Sequence, residues 1–301
     1  MARYENLQKI DEGGQAAIYL ADDVTSHRKV VLKFLKHRNF GSLKRLKREA
    51  RLATEQLDNE FAVDLLADYS EHDSPFLVFE YCSGGSLARW IFERKPAETV
   101  ATAMLHAMFG LRGIHDKGGF HGDFTPRNLL IAESSNGWRI KIIDFGLGQT
   151  PNPLSGSMTR HFRGTPNYIA PEIEKGDDYT WRADIYSAGI VFRELLTGLR
   201  MKLPFTFSPP PRELDLLIER MTAENPLLRP TTSEVISQIE AHLAKPGANA
   251  LALPAATPSW SGLILPALAA FLGILATKNR YDSKVDRYRN HRGQFASGWF
   301  G

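Results

Sequence analysis

A His, an Asp and an Asn lie close together in the stretch 119–131, which reads GFHGDFTPRNLLI. His121 stands two positions before Asp123, Asn128 follows five positions after it, and an apolar run comes next. This spacing suits a carboxylate that accepts a proton and an amide that holds a metal ion. A solvated loop with an ordinary turn has a similar sequence, so the stretch by itself leaves both interpretations open.

Three more charged residues could complete a site around this stretch. Lys33 alternates with Val31 in VVLKFL, which places both on one face of a strand, where an ammonium can pair with phosphate. Glu49 lies on the next helical stretch and can hold Lys33, while Asp144 in IIDFG follows an apolar strand and can bind Mg²⁺. Their ordinary alternatives are a solvated lysine, a surface charge and a common turn. Together these residue types supply what phosphoryl transfer from ATP requires.

The elements that must position these residues change in type along the chain. Up to about residue 80, the short β-type runs AIYLADD, VVLKFL and PFLVFEY surround one helical repeat, SLKRLKREARLATEQL. From about residue 85 the pattern is helical, except for the strand WRIKIIDFG and a proline-rich interruption, PFTFSPPPRE. We therefore expect an α+β fold with a β-rich N-lobe (about 1–80), a helical C-lobe (about 81–243) and a cleft between them.

The bulk composition narrows the class of protein. A chain of 301 residues accommodates one two-lobed domain of about 250 residues plus an extension. The net charge of +3 is too small to indicate nucleic acid as a partner. The single cysteine, Cys82, excludes an internal disulfide framework and fits a reducing compartment. The opening residues MARYENLQKI predict no signal peptide, and Ala2 predicts no N-myristoylation.

A change of composition near residue 244 predicts a membrane extension. Residues 244–259 are rich in Ala, Pro and Gly and read as a linker. Residues 260–277, WSGLILPALAAFLGILAT, carry no charge and would span about 27 Å as a helix, close to the thickness of a bilayer core. We expect a transmembrane helix because no polar face could meet water, although a buried C-terminal helix is the alternative. Residues 278–301 form a basic tail.

Eight motifs occur along the chain in a fixed order: VVLK, Glu49, FEYCSGGSL, HGDFTPRN, DFG, GTPNYIAPE, DIYSAGI and NPLLRP. Each is weak alone, but together, over about residues 5–243, they resemble the eukaryotic-type protein kinase superfamily. The resemblance implies a two-lobed protein-kinase-like fold and transfer of the γ-phosphoryl group of ATP to protein hydroxyls. It also implies Mg²⁺, or Mn²⁺ in its place, as the metal.

The resemblance gives each matched residue near the phosphates a role. Asp123 corresponds to the base that accepts the substrate proton. Lys33 corresponds to the lysine that pairs with the α- and β-phosphates, held in place by Glu49. Asn128 and Asp144 correspond to the two metal ligands.

Other matched residues would bind the nucleotide base or support the site. The Glu80 carbonyl and the Cys82 amide correspond to the groups that bond adenine. Three apolar side chains would sandwich its ring, those of Ile18, Val31 and Leu130. Asp184 would hold the backbone of the catalytic loop, and Glu172 would pair with Arg229 in a structural ion pair.

The glycine loop, DEGGQAAI, departs from the family pattern. The three glycines of the family fall on Asp11, Gly13 and Ala16, so only the middle one is kept. Glycine lets backbone N–H groups approach phosphate, so the loss of two glycines predicts weaker ATP binding. Gly14 keeps the tip flexible, which leaves Gly13 and Gly14 as the phosphate-binding candidates.

A second departure is Gly122, which stands where many family members have an Arg that binds a phosphorylated activation-loop residue. Its absence predicts that loop phosphorylation lacks its main ionic contact. Ser155, Ser157 and Thr159 nevertheless remain candidate autophosphorylation sites. A His-Gly-Asp sequence also occurs in related kinases that act on sugars, aminoglycosides and lipopolysaccharide, which keeps a small-molecule kinase as an alternative.

Some residues favour Ser or Thr as the acceptor of the phosphoryl group, and others favour Tyr. Thr125 replaces the Lys that steadies the γ-phosphate in Ser/Thr kinases, and Arg127, at a position where tyrosine kinases often have Arg, could supply that charge. Thr165 matches the Thr that contacts the catalytic Asp in Ser/Thr kinases. We give Thr165 more weight because it belongs to a longer matched run, GTPNYIAPE. The same run builds a peptide-docking surface and argues against a small-molecule substrate.

These features predict a serine/threonine protein kinase at a membrane, with its kinase domain (1–243) facing the cytoplasm and a single span at 260–277. Its partners are unidentified protein substrates and the membrane, with no nucleic acid. A pseudokinase is the least favoured alternative, because the catalytic residues are retained. The tail has six Lys/Arg against two Asp, which also favours the cytoplasm. A single span, however, would place the kinase domain and the tail on opposite sides of the membrane. Tail-anchored insertion, a hairpin bent at Pro266 or an interfacial segment would resolve this conflict.

Overall fold

The structure, a computed structural model, describes residues 3–55, 59–135, 137–144, 165–198 and 210–245. Several predicted features lie outside these residues: Ser155, Ser157, Thr159, the linker beyond Lys245, the apolar segment 260–277 and the tail 278–301. None of the helices formed by the described residues has the length and apolar character that crossing a membrane requires.

The N-terminal part of the described chain forms a five-stranded antiparallel sheet. Its strands are β1 (Tyr4–Glu12), β2 (Ala16–Asp23), β3 (Arg28–Leu35), β4 (Leu65–Tyr69) and β5 (Phe76–Glu80). They lie in the order β1-β2-β3-β5-β4. The helix α1 (Phe40–Glu55) connects β3 to β4 along the chain. Strands β1 and β4 were not predicted. Strand β1 is exposed along almost its whole length and therefore lacks an apolar alternation.

The two-residue period of β3 separates the two faces of this sheet. Val30 and Leu32 are buried on one face, which aromatic side chains of neighbouring strands cover. Val31 and Lys33 are half-buried on the other face. Helix α1 lies at this second face, since its Glu49 pairs with Lys33. The sheet therefore presents the phosphate-binding lysine candidate toward α1 and the cleft.

Helix α1 begins after Asn39, whose side-chain oxygen accepts a hydrogen bond from the Ser42 amide at 2.9 Å. The side chains that it buries are those of Ser42, Leu46, Glu49, Ala50 and Ala53. Leu43, three residues before Leu46 on the same helix, is only half-buried. Glu49 is the only charged residue on the buried face of this helix. Its partner, Lys33, therefore links this face of α1 to β3.

The C-terminal part of the described chain is mostly helical. Its helices are α2 (Trp90–Glu93), α3 (Ala97–His115), α4 (Pro171–Lys175), α5 (Trp181–Thr197), α6 (Arg212–Met221) and α7 (Thr232–Leu243). Helix α3 packs against α5 and α7. It buries five apolar residues that recur at three- and four-residue steps: Val100, Met104, Met108, Leu111 and Ile114. The predicted α+β, two-lobed fold is confirmed for the described residues.

A two-stranded hairpin delivers the central residues of the site. Strands β6 (Leu129–Ser134) and β7 (Gly137–Ile142) pair antiparallel, from Leu129 opposite Ile142 to Ser134 opposite Gly137. Asn128 immediately precedes β6, and Asp144 follows the end of β7 by two residues. Because the first residue of β6 lies opposite the last residue of β7, the hairpin brings these two side chains to the same end.

Candidate active site

Lys33 on β3 is paired with Glu49 on α1 and also reaches Asp144. Its Nζ lies 2.6 and 2.8 Å from the two carboxylate oxygens of Glu49 and 3.2 Å from Asp144 Oδ1. Burial alone would lower the pKa of Lys33, but the charges of Glu49 and Asp144 outweigh it and raise that pKa above its usual value. The ammonium therefore stays charged. The predicted Lys33–Glu49 pair is present in the structure.

The sheet face that carries Lys33 also carries two of the predicted base-binding residues. Ile18 lies opposite Lys33 in the β2–β3 ladder, and Val31 lies two residues before Lys33 on the same strand. Leu130 lies on β6, where it forms an isolated bridge with Ser86. All three apolar side chains are half-buried. Their contact with an adenine ring stays a prediction.

The segment that begins at Glu80 and runs through Cys82 is here called the hinge. Its Cys82 amide has no hydrogen-bond acceptor among the described residues. Glu80 ends β5, and Cys82 is only 5% exposed. Burial raises the pKa of the Cys82 thiol to about 12, so this cysteine is a packed thiol and not a nucleophile.

Asp184 holds the backbone of the catalytic loop from below. Its Oδ2 accepts a hydrogen bond from the His121 amide at 2.7 Å, and its Oδ1 accepts one from the Gly122 amide at 2.9 Å. The Tyr179 hydroxyl donates to Oδ1 at 3.0 Å, and His115 Nε2 lies 3.0 Å from Oδ2. Burial opposes ionisation, but His115 and the loop amides lower the pKa of this buried carboxyl below its usual value. The predicted role of Asp184 is present, with two partners that the sequence did not indicate.

Two residues of the site have a left-handed backbone. Gly122 has a φ of 85° and Asp144 a φ of 67°. Glycine adopts this region without a steric penalty, whereas an Asp there is uncommon. Gly122 is therefore suited to the conformation in which its amide reaches Asp184, in addition to removing the arginine contact that the sequence indicated.

The ring of His121 connects the catalytic loop to the strand that leads to Asp144. Its Nε2 lies 2.9 Å from the Ile143 carbonyl, and its Nδ1 lies 3.2 Å from the Asp123 amide. These contacts require that Nε2 donates to Ile143 and that Nδ1 accepts from Asp123. The side chain of His121 is buried, so it positions its neighbours and does not meet substrate.

Asp123 has its two carboxylate oxygens in different environments. Thr165 donates to Oδ1 through its amide at 2.9 Å and through its hydroxyl at 2.8 Å. Asn128 Nδ2 donates to the Asp123 carbonyl at 2.8 Å and to Oδ2 at 3.3 Å. The predicted contact between Thr165 and the catalytic Asp is present, and Oδ2 is the oxygen with the weaker partner.

The side chains of Asn128 and Asp144 could both bind a divalent metal ion. Because Asn128 donates through Nδ2, its Oδ1 is turned away from Asp123 and has no partner within the described residues. The Ile143 amide donates to the Asn128 carbonyl at 3.0 Å, which ties Asn128 to the segment just before Asp144. An amide oxygen and a carboxylate are hard ligands of the kind that Mg²⁺ prefers.

Arg127 is the unpaired cation of the catalytic loop. It lies in the short 3₁₀ turn Pro126–Asn128, is half-buried, and forms no hydrogen bond or ion pair within the described residues. Thr125, where the family has a Lys, is 3% exposed. Arg127 could therefore supply the positive charge that the family's Lys provides at position 125.

The glycine loop connects β1 to β2 through a tight turn. The Gly13 amide donates to the Ala16 carbonyl at 2.9 Å. Glu12, which ends β1, pairs with both Lys9 and Lys36. A Cβ at Gly14 would meet no atom within 4 Å, so packing does not require a glycine there. The binding of phosphate by Gly13 and Gly14 stays a prediction.

A buried ion pair anchors the segment that follows the activation loop. The Arg229 guanidinium donates to the Glu172 carboxylate through two nitrogens, at 2.6 and 2.7 Å. The Arg229 side chain is completely buried. The Ser187 hydroxyl donates to the Tyr168 carbonyl at 2.7 Å, which holds the same segment to α5. The predicted Glu172–Arg229 pair is therefore present, and it holds the end of the run that begins at Thr165.

Besides Tyr179, the supporting side chains of His115 and Lys141 were not predicted. His115 connects Asp184 to Thr232 at the start of α7, with its Nδ1 2.6 Å from the Thr232 hydroxyl. Lys141 pairs with Glu80 and Asp64. A charge inside the apolar strand RIKII was a visible signal for Lys141. For His115 the sequence had no signal beyond its place at the end of a helix.

Comparison with known proteins agrees with this geometry. The family model described as Protein kinase domain matches residues 4–208. The serine/threonine-protein kinase pkn2 of Myxococcus xanthus is 34% identical over 218 residues, which are 70% of this chain and 26% of that protein. The serine/threonine-protein kinase PknL of Mycobacterium tuberculosis is 33% identical over 230 residues, 75% of this chain and 55% of that protein. PrkC of Bacillus subtilis is 30% identical over 250 residues, 79% and 36% respectively.

The match over residues 4–208 shows that this chain belongs to the protein kinase family. The aligned parts cover between 26% and 55% of the length of these three relatives. The chain therefore matches only part of the length of each relative.

Proposed function

We propose that this protein is a serine/threonine protein kinase that transfers the γ-phosphoryl group of Mg²⁺-bound ATP to protein hydroxyls. The observation that carries the proposal is the double hydrogen bond from Thr165 to Asp123. It couples the catalytic carboxylate to a segment that Glu172 and Arg229 hold in place. The names of the three relatives, all serine/threonine-protein kinases, support the same specificity.

Each residue of the site has a defined task in this reaction. Lys33, held by Glu49, pairs with the phosphates of ATP and keeps them in line with the acceptor. Asn128 and Asp144 would hold Mg²⁺, which neutralises charge on the phosphates when bound. Arg127 supplies a further positive charge near the γ-phosphate.

Asp123 orients the acceptor hydroxyl and takes its proton. The hydroxyl oxygen forms a bond to the γ-phosphorus while the bond between that phosphorus and the oxygen of ADP breaks. The hydroxyl proton passes to Asp123 Oδ2, because Thr165 already occupies Oδ1 with two hydrogen bonds. The products are a phosphorylated side chain and ADP.

The proposal is tested with the full chain, radiolabelled ATP, Mg²⁺ and a general protein substrate. Label should reach Ser and Thr, and the Asp123→Asn variant, which keeps the side-chain size, should transfer none. Label on Tyr alone would contradict the assigned specificity. Phosphorylation of an aminoglycoside or sugar without any labelled protein would favour the small-molecule alternative. Binding of Mg²⁺-ATP without turnover would favour a pseudokinase.

Two further parts of the proposal rest on the sequence. We propose that residues 260–277 anchor the kinase to a membrane, with the catalytic domain in the cytoplasm where ATP is available. A flexible linker of sixteen residues (244–259) has an r.m.s. reach of about 20–24 Å, which keeps the domain near the membrane surface. We also propose Ser155, Ser157 and Thr159 as autophosphorylation sites. The supporting observations are the absence of charge in 260–277 and the place of the three hydroxyls between the DFG and APE motifs.

A further inference from the structure

A buried lysine lies behind the hinge, on a strand that contributes no catalytic side chain. Lys141 on β7 is 7% exposed, whereas Arg139, two residues earlier, is exposed. The Lys141 ammonium pairs with Glu80 and lies 3.2 Å from Asp64 Oδ2. Burial disfavours the charged form, but the two carboxylates outweigh it and raise the pKa of Lys141. A charged group at this depth is stable only when it is paired.

The three partners belong to three separate segments. Asp64 immediately precedes β4, Glu80 ends β5, and Lys141 lies on β7. Backbone contacts reinforce the cluster, since the Asp64 amide donates to Glu80 Oε1 at 2.9 Å and the Glu80 amide donates to the Asp64 carbonyl at 3.1 Å. The Val63 amide in turn donates to the carbonyl of Ile142, the residue after Lys141, at 3.0 Å. The cluster thus fixes the hinge to β7 from behind.

Lys141 and the Asp64 amide bind the Glu80 carboxylate, whereas the Glu80 main chain is part of the hinge. The Glu80 side chain and the Glu80 amide both bind Asp64, so these contacts fix the Cα from which the hinge peptide continues. Without Lys141, only the Asp64 amide would still donate to the Glu80 carboxylate, and repulsion from the neighbouring Asp64 carboxylate would displace Glu80. A shifted Glu80 moves its own carbonyl and the Cys82 amide together.

We propose that Lys141 is a positioning residue for the adenine site: by holding the Glu80 side chain, it aims the Glu80 carbonyl and the Cys82 amide at the base of ATP. The inference rests on the proposed function, in which these two groups bond adenine. Lys33, not Lys141, lies beside Glu49 and Asp144. Loss of Lys141 should therefore weaken recognition of the base and leave phosphate binding and the transfer step in place.

The test uses the full chain and two partial ligands. Adenosine has the base without phosphates, and Mg²⁺-tripolyphosphate has phosphates without the base. In Lys141→Met, which keeps the side-chain length without its charge, we expect adenosine and ATP to bind about tenfold more weakly, the effect of one lost hydrogen bond. Tripolyphosphate binding and kcat at saturating ATP should stay within about twofold. Lys141→Arg should restore most of the adenosine affinity.

A second variant keeps the test sound if Lys141→Met folds poorly. Glu80→Gln retains the shape of the side chain but weakens its attraction to Lys141, so it should reduce adenosine affinity in the same direction by a smaller factor. Equal losses for adenosine and tripolyphosphate would overturn the inference and indicate general destabilisation. Unchanged adenosine affinity with a higher kcat would also overturn it, since the cluster would then restrain lobe movement. If wild type binds neither adenosine nor ATP, the proposed function itself fails.

Discussion

Thr165 and Asp123 are joined by two hydrogen bonds to a single carboxylate oxygen, from the Thr165 amide at 2.9 Å and from its hydroxyl at 2.8 Å. Both bonds end on Oδ1, and the only other side chain that donates to this carboxylate among the described residues is Asn128, to Oδ2 at 3.3 Å. The position of Thr165 therefore controls which oxygen is left for the substrate. The segment after the activation loop thus acts directly on the catalytic base.

The first prediction follows from this contact. Thr165→Val keeps the shape and the amide but removes the hydroxyl, so it should lower kcat about tenfold or more, the loss expected for a hydrogen bond to a charged group. KM for ATP should change little, because Thr165 is not at the nucleotide. Thr165→Ser keeps the hydroxyl and is the matched control. Steady-state kinetics with a protein substrate measure both, and equal losses in the two variants would argue against the hydroxyl contact.

The second prediction concerns Asp144. Replacement by Asn removes the charge but suits the left-handed backbone at this position, so the fold should be kept. We expect phosphoryl transfer to fall by about three orders of magnitude, since among the described residues no other carboxylate lies beside both Lys33 and the Asn128 end of the hairpin. Transfer assays across Mg²⁺ concentrations, with circular dichroism as the control for folding, measure this. Full activity in Asp144→Asn would refute the kinase mechanism.

The third prediction concerns the activation loop. Alanine at Ser155, Ser157 and Thr159 together should leave kcat within about tenfold of wild type, because Gly122 provides no cation to bind a loop phosphate. The assay compares wild type and the triple variant after treatment with ATP and again after treatment with a phosphatase. A much larger loss in the triple variant would show that another cation, such as Arg160 or Arg163, performs this role.

A fourth prediction concerns stability at acid pH and rests on His106. This residue of α3 packs against the rings of Phe61 and Trp138, at centroid distances of 5.2 and 5.5 Å. Burial lowers the pKa of His106 to about 4, and Arg139 acts in the same direction. In the unfolded chain the pKa is about 6.5. Protonation therefore favours unfolding, and the stability from neutral His106, about 3 kcal/mol, is present above pH 6.5 and declines as the pH falls toward 4.

Thermal unfolding of the full chain between pH 8 and pH 4 checks this expectation. His106→Asn removes the titrating group and should flatten the decline of Tm between pH 6.5 and 4. His27→Asn is the matched control, since His27 is exposed and has a left-handed backbone, φ 54°, that Asn tolerates. Parallel curves for wild type and His106→Asn would show that His106 does not account for the acid sensitivity.

A fifth prediction concerns the membrane segment. Deletion of residues 260–301 should release the protein into the soluble fraction and leave its kinase activity intact. Leu268→Arg with Leu272→Arg is a gentler form of the test, because each charge near the bilayer centre costs about 2.5–3.5 kcal/mol on insertion scales. Leu268→Ala with Leu272→Ala is the matched control. Retention of the double arginine variant in the membrane fraction, or aggregation of the truncated chain, would contradict the anchor.

The sequence sufficed for the residues whose local context sets their position. Lys33 follows a strand period, and Asp144 follows an apolar strand, so both were predictable, and the structure brings them within 3.2 Å of each other. The strand β1 was missed, because nearly all its side chains are exposed and no alternation remains. A strand that is held by its neighbour rather than by a buried face leaves no pattern in its own residues.

The contacts of Lys141 and His115 could not be predicted for a different reason. Lys141 finds its partners 61 and 77 positions away, and His115 bonds Asp184 from 69 positions away. No local propensity encodes such pairs, since they depend on how the hairpin and the helices pack. The motifs, with the supporting residues Glu49, Asp184 and Glu172, could be predicted from the sequence, whereas the contacts of Lys141 and His115 required the structure.

The left-handed backbone at Gly122 has a consequence for how the regulation of this kinase can change in evolution. Any L-residue placed there meets a steric penalty of about 1–2 kcal/mol, unless the loop rebuilds its contacts to Asp184. An arginine that arose at this position would add strain to the resting enzyme and would repay it only once a loop phosphate was present. A single Gly122→Arg substitution would therefore add an arginine for a loop phosphate only at a cost in stability. The same barrier faces an engineer who wishes to install such a switch.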